Sequence, residues 1–347
     1  MEMDTLADKI KQWAIELGFN DVGFANTELH DYELRLLDWL GNDMHGEMHF
    51  MEKHGKKRSR PEKLVKGTVS IISVRMNYLD KDAEDANAIL EQPEKAYISR
   101  YALGRDYHKL IRKKLQCLAD RITQTIGPFT YRAFSDSAPV LEKPLAEQAG
   151  LGWIGKHTLL LNRTAGSWFF LGELYTDLAL PQSTPVADHC GSCTRCIDIC
   201  PTQAIVAPYK LDARRCIAYL TIEFKGSIPL ALRPLVGNRI FGCDDCQLVC
   251  PWNRYAGYAI EEKFRTQHNL DAIDLVELFA WSEQEFHHKL AGTAIKRSGY
   301  ECWLRNIAVA LGNAPPSEQV IQALKSRLHY PSEIVREHVQ WAIAQHA

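Results

Sequence analysis

The hydrophobic and polar residues in the first half of the chain follow helical spacing in some segments and strand spacing in others. Residues 5–18, TLADKIKQWAIELG, place their apolar side chains on one helical face that Gly18 can cap: Leu6, Ile10, Trp13, Ala14 and Leu17. Residues 106–127 and 141–152 also predict helices, and VSIISVRM, YRAFSDS and SWFFLGELYTDLAL predict strands. Because both kinds of element are mixed here, we expect residues 1–180 to form one α+β domain.

The rest of the chain divides after a proline-bearing junction, PQSTPVADH. A cysteine-rich region follows, and we predict a second domain at residues 181–260. The pattern then becomes helical, which predicts a third domain at residues 261–347. Its segments LRNIAVALGN and REHVQWAIAQ align at an offset of 32 residues with prolines between them. This alignment indicates a short HEAT-like repeat, although an unrelated helical cap would bury the same apolar positions.

The overall composition indicates a globular protein. The chain has 347 residues, of which 46% are hydrophobic and 24% charged. No apolar run approaches the ~18 residues of a membrane-spanning helix, and MEMDTLADKI does not resemble a signal peptide. We therefore expect a cytoplasmic protein with no membrane partner. The net charge of -2 gives no general attraction to nucleic acid, so such a partner would need a local basic patch.

Ten cysteines carry the strongest chemical signal. In a reducing compartment they are expected to be metal ligands or catalytic groups rather than disulfides. Residues 190–201, CGSCTRCIDICP, have the CxxCxxCxxxCP spacing of bacterial ferredoxins, in which three thiolates bind one [4Fe-4S] cluster and the fourth binds another. Residues 243–251, CDDCQLVCP, repeat the last three cysteines. Ile240 stands where the first would fall, and Cys216 is the nearby candidate for the gap.

If the last cysteine of each motif binds the cluster of the other motif, the sequence predicts two clusters. One is held by Cys190, Cys193, Cys196 and Cys250, and the other by Cys200, Cys216, Cys243 and Cys246. Two structural zinc sites are the alternative, although zinc requires neither a third cysteine in register nor the repeated CP ending. Cys117 and Cys302 have apolar neighbours at helical spacing, and we predict that both are buried structural thiols.

Three long stretches, read together with the cysteines, resemble a known family. They are ISRYALGRDYHK, SDSAPVLEKPLAEQAGLGWIGKHTLLLNR and IEFKGSIPLALRPLVGNRIFGCDDCQLVCPWN. The chain closely resembles the epoxyqueuosine reductases from about residue 5 to the terminal helices. This resemblance implies a cobalamin-dependent oxidoreductase that converts epoxyqueuosine to queuosine at the wobble position of tRNA, with the epoxide oxygen leaving as water. It also implies a nitroreductase-like N-terminal domain for the cobalamin, a ferredoxin-like module with two [4Fe-4S] clusters, and an external electron donor.

The resemblance also implies the site residues. Asp136 in FSDSAPV corresponds to the family's proposed acid, and its carboxyl could donate a proton at neutral pH if burial raised its pKa from ~3.9. A turn or helix cap is the alternative role for this residue. Further positions that the resemblance places next to cobalamin are Arg58, Ser99, Lys156, His157, Leu160, Cys243 and Asp244.

A tRNA substrate must be held by its phosphates. Residues 53–66, KHGKKRSRPEKLVK, carry seven basic residues and one acid, which fits either a phosphate contact or a solvated loop. By position and charge, the other candidates are Lys225, Arg233, Arg239, Lys296, Arg297 and Arg305. Tyr300 and Trp303 are candidates for stacking on loop bases, with a core role as the alternative for Trp303. We expect a monomer.

Other functions fit the sequence less well. A ferredoxin-type electron carrier would leave the first ~180 residues without a role. A reductive dehalogenase would share both cofactors but would normally carry an export signal and would not need the helical tail. A radical enzyme that uses S-adenosylmethionine would need CxxxCxxC, which is absent, and a zinc-knuckle scaffold would contain no iron.

Overall fold

The computed structural model describes residues 2–347 as a mixed α/β protein. The strands are β1 Asp21–Ala25, β2 Ser70–Asn77, β3 Tyr97–Ile98, β4 Tyr131–Phe134, β5 Trp153–Ile154, β6 Leu160–Leu161, β7 Phe169–Thr176, β8 Ile205–Ala207, β9 Lys210–Leu211 and β10 Arg239–Phe241. The helices are α1 Met3–Glu16, α2 His30–Gly41, α3 Pro61–Leu64, α4 Ala86–Leu90, α5 Tyr107–Ile126, α6 Glu142–Gln148, α7 Arg195–Asp198, α8 Ile217–Ile222, α9 Arg233–Val236, α10 Asp245–Leu248, α11 Leu275–Ala280, α12 Glu283–Lys289, α13 Tyr300–Asn313, α14 Glu318–Lys325 and α15 Glu333–Ala344. Within residues 2–347, no helix has both the length and the apolar character needed to cross a membrane.

An antiparallel sheet organises the N-terminal half, with the strand order β1-β2-β7-β4. All eight residues of β2 are buried, because the strand has a neighbour on each side and a helical layer on each face. The strands predicted from VSIISVRM, YRAFSDS and SWFFLGELYTDLAL are confirmed as β2, β4 and β7. The buried central strands therefore fix the positions at which the loops that follow them begin.

Helices α1 and α5 cover one face of this sheet, and α6 covers the other. Leu6, Ile10 and Ala14 are completely buried, which confirms the predicted apolar face of α1. Gly18 ends this region with a φ of +89°, a conformation that glycine adopts without steric cost. A Cβ atom on Gly172 would lie 2.5 Å from Cγ2 of Ile111, so α5 packs directly on the backbone of β7.

The cysteine-rich region folds around two very short helices, α7 and α10, which pack against each other. It is also joined to the N-terminal half, because β10 pairs in parallel with β3. The side chain of Asn306 from α13 bonds the backbone of both β10 and α8, with 2.8 Å from its Nδ2 atom to each carbonyl oxygen of Ile240 and Thr221. The three regions thus share one packed structure, and the division at residues 180 and 260 stays a prediction.

The C-terminal region is helical, as predicted. Helix α13 is buried along most of its length, and α15 packs against it. The contact is close, since a Cβ atom on Gly312 would lie 2.6 Å from the Trp341 ring. Tyr300 and Trp303 are buried in this core, so Trp303 has the structural role and neither side chain offers a free stacking surface. Cys302 is buried as predicted, whereas Cys117 on α5 is only half-buried.

Candidate functional site

The eight motif cysteines lie around two separate cavities. Cys190, Cys193, Cys196 and Cys250 line a cavity of about 290 Å³. Cys200, Cys216, Cys243 and Cys246 line a second cavity of about 40 Å³. These are the two sets predicted from the spacing, including the exchange of the fourth ligands and the use of Cys216. Four thiolates around one small cavity are the donor set of an iron–sulfur cluster or a zinc ion.

The local backbone explains how the thiols converge. The backbone N–H of Cys193 donates to the carbonyl of Cys190 at 3.1 Å, which closes a tight turn before α7. The prolines after Cys200 and Cys250 then redirect the chain. Cys216 reaches the second cavity from the start of α8, because a short 3-10 turn at residues 213–215 precedes it. Ile240 is completely buried in β10, so it fills the core where the sequence repeat would have had a cysteine.

A third cavity, of about 610 Å³, lies between the sheet, α5 and the helical region. Its size falls within the ~300–1,000 Å³ of typical small-molecule and cofactor sites. One part of its wall is apolar and is formed by Phe50, Met51, Val140, Phe169 and Phe170. Ionisable groups converge on the other part, namely Arg58, Asp136, Glu142, Glu223 and Arg297. This combination suits a large cofactor that reacts next to a proton donor.

Asp136 lies in the loop after β4, and its side chain is 57% exposed to the cavity. Its backbone has a φ of +56°, and its N–H donates to Oε1 of Glu142. Its Oδ2 atom is 2.9 Å from Nε2 of His108. Burial raises the pKa of Asp136, but hydrogen bonding and charge from His108 outweigh burial and lower it below its ordinary value. In this structure the contact with His108 thus opposes the rise in pKa that burial alone would produce.

His108 connects Asp136 to a second carboxylate, that of Asp106. Its Nδ1 atom is 2.6 Å from Oδ1 of Asp106, which also caps the start of α5 by accepting the His108 backbone N–H. Burial lowers the pKa of His108, yet its bonds to Asp106 and Asp136 raise it overall. Arg297 from the helical region donates to Oδ2 of Asp106 at 2.6 Å. Asp106, His108 and Asp136 therefore form one hydrogen-bonded chain that ends in the cavity.

Of the eight positions expected next to cobalamin, two line the large cavity: Arg58 and Asp136. Arg58 is buried, and its guanidinium donates to the carbonyl of Phe50 at 2.8 Å, so it fixes the loop that forms the apolar wall. Lys156 and His157 instead line the first cysteine cavity, where Nζ of Lys156 donates to the carbonyl of Cys193 at 2.9 Å.

The other four positions also lie outside the lining of the large cavity. Leu160 is a buried residue of β6, and Cys243 lines the second cysteine cavity. Asp244 is fully enclosed and accepts hydrogen bonds from Oγ of Ser99 at 2.6 Å and from the Tyr97 hydroxyl at 2.8 Å. Ser99 and Asp244 thus connect the chain next to β3 with the second cysteine motif.

The basic residues predicted for tRNA separate into buried and exposed groups. Two predictions are wrong, because Arg305 is 0% and Arg233 1% exposed, so neither can reach a phosphate. Arg305 donates to the carbonyls of Leu220, Phe224 and Gly226, and Arg233 donates to the Ile228 carbonyl and to Glu337. Arg239 is mostly buried and forms an ion pair with Asp245. Lys225 and Lys296 are exposed, while Arg297 is exposed but joins the Asp106 and His108 chain.

The basic segment 53–66 is ordered by internal contacts and not only solvated. Arg60 forms a bidentate ion pair with the buried carboxylate of Glu33, with 2.8 Å between Nη2 and Oε1, and Ser59 donates to the same carboxylate. Lys53, Lys57, Lys63 and Lys66 are exposed. These lysines leave positive charge on the surface close to the loop that lines the large cavity.

Sequence reasoning missed Asp106, His108 and Glu142 as parts of the site. All three lie in ISRYALGRDYHK and SDSAPVLEKPLAEQAGLGWIGKHTLLLNR. These stretches indicated the family resemblance, but no role was predicted for these three residues. A signal was present, since Asp106 and His108 are spaced as a helix cap and a first-turn residue. Their distance of 28 residues or more from Asp136 along the chain hid the contact.

The chain is similar to known proteins over nearly its whole length. Residues 189–253 match the family model of a 4Fe-4S double cluster binding domain, and residues 58–137 match the model "Epoxyqueuosine reductase QueG, DUF1730". An epoxyqueuosine reductase from Pseudomonas aeruginosa is 60% identical over 342 residues, which cover 98% of this chain and 94% of that protein. The Escherichia coli protein of the same name is 56% identical over 346 residues, with 99% and 90% covered.

Solved structures share the fold. A crystal structure of epoxyqueuosine reductase with an epoxyqueuosine-modified tRNA-Tyr stem loop has a TM-score of 0.90 at 28% identity, and the match covers 99% of this chain and 91% of that chain. A Bacillus subtilis epoxyqueuosine reductase, with its catalytic aspartate loop swung out of the active site, has a TM-score of 0.89 at 28% identity and covers 100% and 91%. With relatives up to 60% identical along almost its entire length, this chain belongs to the epoxyqueuosine reductase family.

Proposed function

We propose that this protein reduces epoxyqueuosine to queuosine at the wobble position of tRNA. The identity of 56–60% to proteins named epoxyqueuosine reductase supports this reaction. The related structure that holds an epoxyqueuosine-modified stem loop supports tRNA as the substrate. Two electrons and two protons enter the reaction, and the epoxide oxygen leaves as water.

The observation that carries the proposal is the position of Asp136 in the large cavity. Its carboxyl faces an open space with an apolar wall, and its Oδ2 atom is 2.9 Å from Nε2 of His108. A departing epoxide oxygen requires a proton at this kind of position. Asp136 is the proposed proton donor, and because its lowered pKa favours the ionised form, its carboxylate receives the proton from His108 before passing it to the departing oxygen.

The proposed cofactors are two [4Fe-4S] clusters and a cobalamin. The two sets of four thiols fit the clusters by donor chemistry, and the match to a double cluster model favours iron–sulfur over zinc. The large cavity is open and offers cobalamin an apolar wall of Phe169, Phe170 and Val140 beside its ionisable groups. When bound, these groups would supply single electrons and a cobalt reducing centre, and an external donor would feed them.

The chain's own residues organise this cavity. Arg58 holds the Phe50 and Met51 loop through two backbone carbonyls. The Tyr107 ring stacks on Phe170 with 3.8 Å between ring centroids, which fixes the wall beside His108. Arg297 connects the helical region to Asp106, so a tRNA bound against that region would lie next to the proton donor.

The proposed tRNA surface consists of Lys225, Lys296 and the exposed lysines of segment 53–66. All are exposed and carry the charge that phosphates require. We further propose the three-domain division at residues 180 and 260, with a nitroreductase-like first domain, a ferredoxin-like second domain and a HEAT-like third domain. Packing of α13 against α15, the two aligned segments, supports the last of these descriptions.

The test is anaerobic purification followed by metal analysis and an assay on tRNA. We expect eight iron atoms and one cobalt per chain after reconstitution, which is two four-iron clusters and one cobalamin. Mass spectrometry of nucleosides should show conversion of epoxyqueuosine to queuosine in tRNA from a strain that lacks the enzyme. A fully loaded protein that leaves epoxyqueuosine unchanged would refute the proposed function.

A further inference from the structure

A pair of glutamates lies directly behind Asp136, and the proposed reaction gives neither of them a role. Glu173 occupies the middle of β7, opposite Ser73 of β2 on one side and Phe134 of β4 on the other, and its exposed fraction is 0%. Glu142 begins α6, which covers this face of the sheet, and it lines the large cavity. An ionised carboxylate is rarely placed in the centre of a sheet, because it loses its hydration there.

The surroundings of Glu173 indicate that its carboxyl group is neutral. Neither of its oxygens accepts a hydrogen bond from any N–H or O–H group in residues 2–347. The polar group next to it is the carboxyl of Glu142. Two carboxyl groups bond to each other only when one carries a proton, so the pair holds one proton. Burial and the charge of Glu142 raise the pKa of Glu173 well above its ordinary value, and burial and Asp136 raise the pKa of Glu142 to about 7.

Glu142 connects this pair to Asp136. Its Oε1 atom accepts the hydrogen bond of the Asp136 backbone N–H. Because Asp136 has a φ of +56°, its backbone is in the left-handed region and depends on surrounding contacts to stay there. The same residue is held through its side chain by His108. The loop is thus fixed at two points: His108 holds the side chain of Asp136, and Glu142 holds its backbone N–H.

We propose that Glu142 and Glu173 are positioning residues for Asp136, and that a proton shared between their carboxyl groups keeps Glu142 where it holds the Asp136 loop in the cavity. This inference rests on the proposed function. The shared proton is not consumed, since it stays between the two glutamates during turnover. When it is lost to solvent, two carboxylates repel each other, Glu142 moves, and the backbone of Asp136 is released. Turnover is therefore supported at low pH and falls as the pH rises through the titration of the pair.

The other charged groups around the pair do not replace this proton. The groups that face it are Asp136 from the loop after β4, His108 from α5, Lys143 from α6 and Tyr175 from β7. Lys143 donates through Nζ to the carbonyl of Thr158 at 2.7 Å, and His108 bonds two aspartates. The Tyr175 hydroxyl is buried and makes no hydrogen bond within residues 2–347.

The test measures kcat and KM for epoxyqueuosine-modified tRNA from about pH 6 to about pH 9 with the loaded enzyme. Glu142→Leu should lower kcat by about tenfold or more while KM changes less than about twofold, since a misplaced donor impairs turnover and not tRNA binding. In Glu173→Gln the amide is neutral and donates to Glu142 at every pH, so the alkaline decline in kcat should lie at higher pH than in the unmodified enzyme. Glu277→Gln, on the exposed face of α11, is the matched control and should keep the original profile.

Infrared spectroscopy provides a readout that needs no turnover. The unmodified holoenzyme at neutral pH should show a neutral carboxylic acid band that is missing in Glu173→Gln. Glu173→Met, an apolar replacement of similar length, gives a second difference spectrum if the glutamine variant folds poorly. The inference is overturned if neither difference spectrum contains the band, or if Glu173→Gln keeps the original alkaline decline. A band in a protein that does not convert epoxyqueuosine would support the shared proton and refute the proposed function.

Discussion

The Nε2 atom of His108 lies 2.9 Å from the Oδ2 atom of Asp136, and this contact joins the first turn of α5 to the loop after β4. Burial lowers the pKa of His108, but its bonds to Asp136 and Asp106 raise it above the ordinary value. The contact thus favours the charged form of the imidazole and of the carboxylate, whose own pKa is lowered. The proposed proton delivery would therefore be a property of the pair and not of Asp136 alone.

Replacement of Asp136 by asparagine should abolish turnover. The amide has the same shape but cannot donate an acidic proton, so we expect kcat to fall by about 100-fold or more. Iron content should remain at the level of the unmodified protein, because Asp136 lines neither of the two cysteine cavities, and cobalt content should remain because asparagine keeps the size and shape of the side chain. Nucleoside mass spectrometry and metal analysis measure the two quantities. Normal queuosine formation by this variant would exclude Asp136 from the mechanism.

His108→Gln should change both activity and the pH dependence of stability. The raised pKa of His108 means that its bonds contribute stability fully below the unfolded value of ~6.5, and that this contribution is lost as the pH rises through the folded value. We expect the variant to be less stable by about 1.5–3 kcal/mol near pH 6, with a smaller difference at alkaline pH. Urea unfolding at the two pH values measures this, and a difference that is constant with pH would contradict a protonated His108.

Local patterns made most of the fold predictable. The burial of Leu6, Ile10 and Ala14 follows from helical spacing within one segment, and the fully buried β2 follows from a short apolar run. The two thiol sets were predictable for a similar reason, because ligand spacing within a tight turn fixes which sulfurs can meet. Cys216 needed one further step, which was to ask what replaces Ile240 in the repeat.

Long-range contacts explain what the sequence could not reveal. Arg305 has the charge of a phosphate contact, yet its guanidinium donates hydrogen bonds to buried backbone carbonyls. No local sequence pattern identifies these partners. The pKa of Asp136 depends on His108, which is 28 residues away along the chain, so burial alone does not determine its direction. A charge pattern gives the residue type, but its role depends on partners that only the tertiary structure brings together.

Cys216→Ala should damage the second cluster and spare the first. Cys216 lines the cavity with Cys200, Cys243 and Cys246, whereas the other four thiols surround a different cavity. Iron content should therefore fall by up to about half, with the remaining iron still in a four-iron cluster by electron paramagnetic resonance. Cys117→Ala is the matched control, because Cys117 lies on α5 outside both cavities. Full iron content in Cys216→Ala would show that another group completes the second site.

Arg305→Ala and Lys296→Ala should separate a structural arginine from a tRNA contact. Loss of the Arg305 guanidinium leaves the carbonyls of Leu220, Phe224 and Gly226 without their buried donor, so the free energy of unfolding should fall by about 3 kcal/mol or more.

Lys296 is exposed, and its Nζ atom makes one long bond of 3.3 Å to the His287 carbonyl. Its replacement should leave the melting temperature unchanged but weaken tRNA binding and reduce the salt dependence of log K by roughly one unit. Calorimetry and binding measured across a salt series test the two variants together. If Arg305→Ala instead keeps normal stability but binds tRNA more weakly, Arg305 contacts phosphate after all. A guanidinium that is buried for a structural role cannot give this result.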